Sequence, residues 1–472
     1  MNRRRRFAVI GGGITGLSAA YQLYKLALAA GEPIDCHLYE ASDRLGGKIL
    51  TYREQGLTLE AGPDSMLRRK PAGMGLIRDL GMESEVVDQS LAANKTYIVK
   101  EGNLIPMPKG TNMGIPVQFQ PFFETNLLSP SAKARVFSDL ILPRREETSD
   151  ESLGGFLRRR FGDELVNSLC EPLLAGIYSG KIDDLSLAAT FPQFGLLEQN
   201  HRSVILGLRR AASKSAGSVP ETGRSAFITL RRGLASLTDR VAEVLAPEAT
   251  FHLESPVSSI SKHDRRYAFA GDASLDCLYD GVVVTTPSEP AAKLIQPFAP
   301  HWHWIHSIPA VSTATVILGF RSNQIDVQLD ASGFVIPRSE NRGITASTFV
   351  SSKWPHTTTE DYVLVRCYVG RSGQEQYLEL SDEQMLQLVR DELQSLVGIQ
   401  VPPVFSKITR WNDAMPQYHV GHLDRINTVE TELKSNAPGL VLAGAPYHGV
   451  GIPDCIQQGQ NAANEVWLTS HL

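Results

Sequence analysis

Gly11-Gly12-Gly13-Ile14-Thr15-Gly16 is the stretch whose residue types and spacing most directly imply chemistry. Glycine at 11 permits a tight turn, glycine at 13 lets backbone approach a pyrophosphate, and glycine at 16 lets a helix lie close on a strand. The N–H groups and positive dipole of a helix opening here would face the phosphates. Glu40 ends a second apolar segment, residues 35–40, where a βαβ unit places the carboxylate that meets a ribose hydroxyl. An acidic residue there favours an unphosphorylated ribose, so the chemistry implied is retention of FAD or NAD and not NADP.

Positioning those residues requires a buried parallel strand at 7–10, a helix with apolar spacing from residue 17, and the second strand before Glu40. Further buried strands are expected at 280–287 and 439–444, the latter followed by a helix over about 455–467. The cofactor domain is therefore expected to be discontinuous, in parts spanning 1–75, 206–300 and 409–472. Residues 312–320 and 362–368 have the β-branched character of sheet strands. A substrate domain is expected over 76–95 and 301–408, and a helical domain over 96–205. Arg158, Arg159 and Arg160 are expected on a solvated helix face, and Arg3 to Arg6 as a solvated lead-in to the first strand. His301-Trp302-His303-Trp304-Ile305-His306 lacks companion ligands at metal-site spacing and is expected to be a loop with aromatic packing.

Length and composition set limits. The 472 residues call for more than one core, and 42% hydrophobic with 21% charged residues is ordinary for a globular protein. A formal net charge of -5 argues against a nucleic-acid binder. Cys36, Cys170, Cys277, Cys367 and Cys455 are scattered without CxxC spacing, which reads as reduced thiols in a cytoplasmic protein. No apolar run has the length of a membrane-spanning helix, so peripheral contact with a membrane surface is the membrane association left open.

Glu40-Ala41-Ser42-Asp43-Arg44-Leu45-Gly46-Gly47-Lys48 resembles the E-x5-GG pattern of the amine-oxidase flavoprotein superfamily. Gly62-Pro63-Asp64-Ser65 resembles a third cofactor stretch of those proteins, and Gly444 with Val450, Gly451 and Ile452 their second flavin motif. The block 156–194, Ser351-Ser352-Lys353-Trp354-Pro355, and Trp411 with residues 416–422 resemble the protoporphyrinogen and coproporphyrinogen oxidases of haem biosynthesis, most of all the soluble bacterial branch. Leu230-Arg231-Arg232-Gly233-Leu234 departs from the resemblance, since paired glycines usually precede the aliphatic residue.

The resemblance implies an α/β fold with a Rossmann-like, p-hydroxybenzoate-hydroxylase-like FAD-binding domain, a mixed-sheet substrate domain and a helical insertion domain. It implies non-covalent FAD held by Gly11, Gly12, Gly13, Ile14, Thr15, Gly16, Glu40, Ala41, Arg44, Gly46, Gly47, Lys48, Gly62, Pro63, Asp64, Ser65, Val257, Thr286, Trp411, Gly444, Val450, Gly451 and Ile452. It further implies oxidation of coproporphyrinogen III to coproporphyrin III by oxygen, giving hydrogen peroxide, with a downstream ferrochelatase as a candidate partner and the oligomeric state open. Four propionates on that substrate call for basic partners. Lys70 is the expected catalytic or electrostatic residue, with Arg68, Arg69, Arg342 and His448 as further substrate contacts. Competing readings are a protoporphyrinogen IX oxidase, an FAD amine oxidase, a carotenoid desaturase and a non-catalytic porphyrin-binding flavoprotein. Against the amine oxidase, the strand at 311–320 carries no lysine, and no cysteine for a covalent flavin link lies within 439–454.

Overall fold

The computed structural model describes residues 4–147, 149–217, 225–271 and 278–471. Arg3 and Cys277 lie outside the described residues; the other four cysteines are buried free thiols.

Strand Arg5–Ile10 runs through Gly11 into helix Ile14–Ala30, and strand Ile34–Tyr39 returns parallel to it, with Ile10 opposite Tyr39. Strands Ala249–His252, Gly281–Val284 and Leu440–Leu442 complete a five-stranded parallel sheet, in which Arg5–Ile10 is central. Both faces are covered. One carries helix Ile14–Ala30 and the C-terminal helix Ile452–Thr469 in one hydrophobic core; the other carries Tyr39, Phe269, Tyr279 and helix Ser288–Ile295. The two helices lie so close that a Cβ on Gly459 would stand 2.2 Å from the Thr15 carbonyl oxygen. Strand Val257–His263, which begins at the expected cofactor residue Val257, lies outside the parallel sheet and pairs antiparallel with Arg266–Gly271. Arg5 and Arg6 are part of the first strand and not a solvated lead-in. Arg5 lies 3.9 Å over the Trp467 ring, and Arg6 pairs with Asp35 at 2.7 Å.

The second sheet is mixed, with seven strands in the order Phe405–Pro416, Ala310–Arg321, Tyr362–Val369, Ala346–Phe349, Gly333–Val335, Tyr97–Lys100 and Asn103–Pro106. Alternation sorts its longest strand. Ala314, Val316, Leu318 and Phe320 face the core shared with helix Asp382–Val397, while Thr315 and Ile317 face the cofactor domain. Residues 97–106, expected within the helical segment, belong to this sheet, and strand Phe405–Pro416 runs across the boundary expected at 409. Residues 76–82, expected in the substrate domain, pack instead into the cofactor-domain core through Leu76, Ile77, Leu80 and Met82.

The third unit is helical, with Phe156, Phe161, Leu165, Leu169 and Phe194 in its core. Here the solvated-face reading of the arginine run fails. Arg160 is wholly buried, paired with Asp139 and Glu198; Arg159 bridges Glu151 and Glu198; Arg158 bridges Asp163 and Asp183. The histidine-tryptophan run is a single helical turn, His303–His306, and not a loop; His301 before it pairs with Glu432. Among the described residues, no helix is long and apolar enough to cross a membrane.

Candidate functional site

The helices that follow the central strand Arg5–Ile10 and the edge strand Leu440–Leu442 of the parallel sheet begin at glycine, Gly13 and Gly451, and no side chain among the described residues caps either N-terminus. Uncapped first-turn N–H groups at the carboxyl edge of a parallel sheet form an anion-binding crevice. Gly16 fixes the crevice wall, since a Cβ there would stand 1.9 Å from the Gly11 carbonyl oxygen. At Gly13 a Cβ would meet nothing nearer than Gly47 Cα at 4.0 Å, so that face of the backbone is open.

Glu40 accepts the Gly12 N–H at 2.7 Å and the Ser42 N–H at 2.9 Å, tying the end of the second strand to the glycine turn. Gly46 N–H donates to the Gly12 carbonyl at 2.9 Å, and the Arg44 guanidinium donates to the Gly47 carbonyl at 2.5 Å. Ala41 is exposed beside them. Ser255 N–H donates to the Glu40 carbonyl at 2.9 Å, bringing the segment that leads to Val257 against the same corner. Thr286 Oγ1 is sealed from solvent with no hydrogen-bond partner among the described residues, an orphan that a bound polar group would satisfy. Lys48 bonds to the Ala414 carbonyl, and desolvation draws its ammonium below the usual lysine range. These features fit a dinucleotide: open backbone at Gly13, two uncapped helix ends and an orphaned hydroxyl.

Gly62 is a second steric requirement, because a Cβ there would stand 1.9 Å from the Lys48 carbonyl oxygen. The carbonyl of Ala61 accepts from Trp411 Nε1 at 2.9 Å and Thr315 Oγ1 at 2.8 Å, which ties this stretch to the substrate sheet. The departure at Arg232 is accommodated as a turn in which Gly233, at φ 83°, holds the left-handed conformation, while the exposed Arg232 gives its carbonyl to Arg53.

Glu60, just before this stretch, accepts from Thr51 Oγ1 at 2.7 Å and Leu234 N–H at 2.6 Å. Burial pushes its carboxyl up to about 7. The folded protein thus holds this proton more tightly than the unfolded chain does. Glu60 costs nothing below about pH 4.5, destabilises increasingly as pH rises from there to 7, and levels off just above 7 at roughly 3–3.5 kcal/mol. Glu60→Gln is expected to reduce the fall in melting temperature between pH 5 and pH 8, measured by calorimetry; an unchanged fall would contradict it.

The expected substrate residues separate. Lys70, which precedes helix Pro71–Asp79, reaches Asp454 in the first turn of the C-terminal helix at 2.6 and 2.5 Å, so it stands beside the second flavin motif. Arg68 is tied to Asp88 at 2.6 Å, and the exposed Arg69 has no ion pair among the described residues. His448 pairs with Glu430 at 2.7 Å on the loop before Val450. Arg342 is held by Glu392 of helix Asp382–Val397 at 2.7 Å, and none of its hydrogen bonds reaches the crevice.

Residues not singled out for this site complete it. Gln458 accepts the Gly444 N–H and donates to the Gly449 carbonyl, both at 3.1 Å. Tyr418 donates to the Ala445 carbonyl and accepts the Gly449 N–H at 2.9 Å. The Tyr178 ring contacts Tyr418 edge-on at 5.7 Å, closing the helical unit over this loop. Tyr178 and Tyr418 carried a signal, as parts of the block 156–194 and the 416–422 stretch.

A family model described as flavin containing amine oxidoreductase matches residues 14–467. Coproporphyrinogen III oxidase of Bacillus subtilis is 40% identical, covering 98% of both chains, and that of Staphylococcus aureus 37%, covering 97% of this chain and 98% of the other. A crystal structure from Exiguobacterium sp. 255-15, named provisionally as a protoporphyrinogen oxidase, superposes with a TM-score of 0.86 at 37% identity over 99% of each chain. The end of the glycine cradle from Ile14, the motif at Gly62 and the loop closing on the C-terminal helix thus lie within one match, and the chain belongs to the flavin-containing amine oxidoreductase family, in the branch of the porphyrinogen oxidases.

Proposed function

We propose that this oxidoreductase converts coproporphyrinogen III to coproporphyrin III with FAD as resident cofactor and oxygen as final acceptor. The observation that carries the reading is the end-to-end likeness to the Bacillus subtilis enzyme, which spans crevice, substrate sheet and helical unit together. The substrate loses six hydrogens in three two-electron steps, and three oxygen molecules leave as hydrogen peroxide. FAD supplies the hydride acceptor in each step. The residues that would hold it are the glycine turn 11–16, Glu40, Ala41, Arg44, Gly46, Gly47, Lys48, residues 62–65, Val257, Thr286, Trp411, Gly444, Val450, Gly451 and Ile452.

Lys70 presents its ammonium at the mouth of the crevice, its side chain 37% exposed, where a substrate carboxylate can exchange for Asp454. Trading one carboxylate for another keeps the cation paired throughout. The product is a porphyrin without metal, so a downstream ferrochelatase is the proposed consumer. A cytoplasmic location with peripheral membrane contact belongs to the same proposal.

Initial porphyrin fluorescence in air, measured separately with coproporphyrinogen and protoporphyrinogen, tests the reading. Faster coproporphyrinogen oxidation is expected. A preference for protoporphyrinogen would favour the reading suggested by the name of the Exiguobacterium protein, and no rate above background with either would sink both. Lys70→Met removes one charge-assisted hydrogen bond, worth about 1.5–3 kcal/mol, so kcat/KM for coproporphyrinogen is expected to fall roughly 10- to 100-fold, mainly through KM.

A further inference from the structure

Asp64 sits where the Gly62–Ser65 stretch meets the substrate sheet. Its carboxylate accepts from Lys353 Nζ at 2.8 Å, Trp354 Nε1 at 3.2 Å and Ser65 Oγ at 2.7 Å. Burial alone would raise this carboxyl, but Lys353 and Arg366 hold it well below the usual carboxylate range. Within Ser351-Ser352-Lys353-Trp354-Pro355, two consecutive side chains therefore grip one aspartate of the cofactor stretch.

Arg366 comes from strand Tyr362–Val369 and is 4% exposed. Its Nη2 donates to the Gly62 carbonyl at 2.5 Å, and its guanidinium lies 4.8 Å from the Tyr368 ring centroid. Nε and Nη1 are sealed from solvent without an acceptor among the described residues. A small cavity lies beside it, lined by Glu60, Asp64, Thr229, Trp354, Thr357 and Arg366. Around Asp64 there are thus two cations and one ionised carboxylate, with Glu60 as the further acid. A glutamine could hold the Gly62 carbonyl at far lower desolvation cost than a guanidinium with two unused donors. The charge itself needs a reason. A preorganised cation beside a flavin stretch stabilises the negative charge that reduction adds.

We infer that Arg366 is a positioning residue that fixes the Gly62–Asp64 turn and biases the bound flavin toward its reduced form. The inference rests on the FAD reading above and on residues 62–65 facing the flavin, but not on the identity of the substrate. The test is the midpoint potential of the flavin bound to the full chain, measured by dye equilibration for wild type, Arg366→Gln, Arg366→Lys and Lys353→Met. Arg366→Gln is expected to shift the potential negative, Arg366→Lys to stay near wild type, and Lys353→Met to shift negative as well. A wild-type potential in flavin-loaded Arg366→Gln overturns the inference. If that variant retains no flavin, Lys353→Met decides: an unchanged potential overturns the inference, and a negative shift supports it. Turnover on the same wild-type preparation separates the readings. A flavin-loaded chain inactive on porphyrinogens sinks the proposed substrate alone, and a wild-type chain that takes up no flavin sinks both.

Discussion

Arg160→Met is expected to destabilise the protein by about 3–5 kcal/mol, the range for breaking a buried ion pair by removing one partner. Arg160 is 0% exposed and so is Asp139, to which its Nε donates at 2.6 Å. The same guanidinium donates to Glu198 Oε1 at 3.1 Å and to the carbonyls of Pro143 and Arg202 at 2.8 and 2.9 Å. It thereby ties helix Leu153–Phe161 to the Ser138–Leu140 turn and to the end of helix Pro192–His201. Methionine fills similar volume but satisfies none of those acceptors, so Asp139 stays buried with no cation beside it and, among the described residues, only Ser203 Oγ and the N–H groups of Val204 and Ile205 as donors. Arg158, two residues away on the same helix, provides the control. Its partners Asp163 and Asp183 have side chains 77% and 53% exposed, so Arg158→Met is expected to cost less than about 1 kcal/mol. Melting temperatures of the two variants check the contrast. A fall of roughly 3–5 °C is expected for Arg160→Met and about 1 °C or less for Arg158→Met, and equal small shifts in both would contradict the buried-pair account.

Arg160 also illustrates what the sequence conceals. Three successive arginines read as a solvated face because charge is usually exposed, and the acids that bury one of them, Asp139 and Glu198, lie 21 and 38 residues away. The glycine cradle was legible because its constraint is local: Gly11 and Gly16 meet within one turn, and backbone sterics need no distant partner. Strands Ala310–Arg321 and Tyr362–Val369 were legible from their β-branched runs. The hairpin of Tyr97–Lys100 and Asn103–Pro106 was missed although it carries a two-residue turn signal, Glu101-Gly102, with φ at 51° and 75°. Its strands have only four residues each, too short for periodicity to outweigh the surrounding helical composition. Contacts such as Arg366 to Gly62, or Lys353 to Asp64, join segments 304 and 289 residues apart and exist only once the two domains dock.

The cradle itself yields the second large effect. Gly16→Ala and Gly13→Ala are both expected to lose bound flavin, for different reasons that apo-protein stability separates. At Gly16 the new Cβ meets the Gly11 carbonyl oxygen at 1.9 Å and Thr285 Oγ1 at 2.9 Å. Backbone cannot swing aside as a long side chain can, so strand and helix must part, an overpacking cost of about 1–3 kcal/mol with no cofactor present. At Gly13, φ is -71° and, among the described residues beyond its own chain neighbours, no atom lies nearer than 4.0 Å to the added methyl, so the apo-protein is expected to melt as wild type does. The methyl instead occupies the open face that the pyrophosphate would approach, and misfit there is expected to weaken flavin binding by at least about 100-fold, or about 2.7 kcal/mol. Flavin-to-protein ratio after purification, with the apo melting temperature, resolves the cases. Gly13→Ala with a full complement of flavin would show that the cofactor does not lie on that face, and the crevice would need another ligand to explain its two uncapped helices.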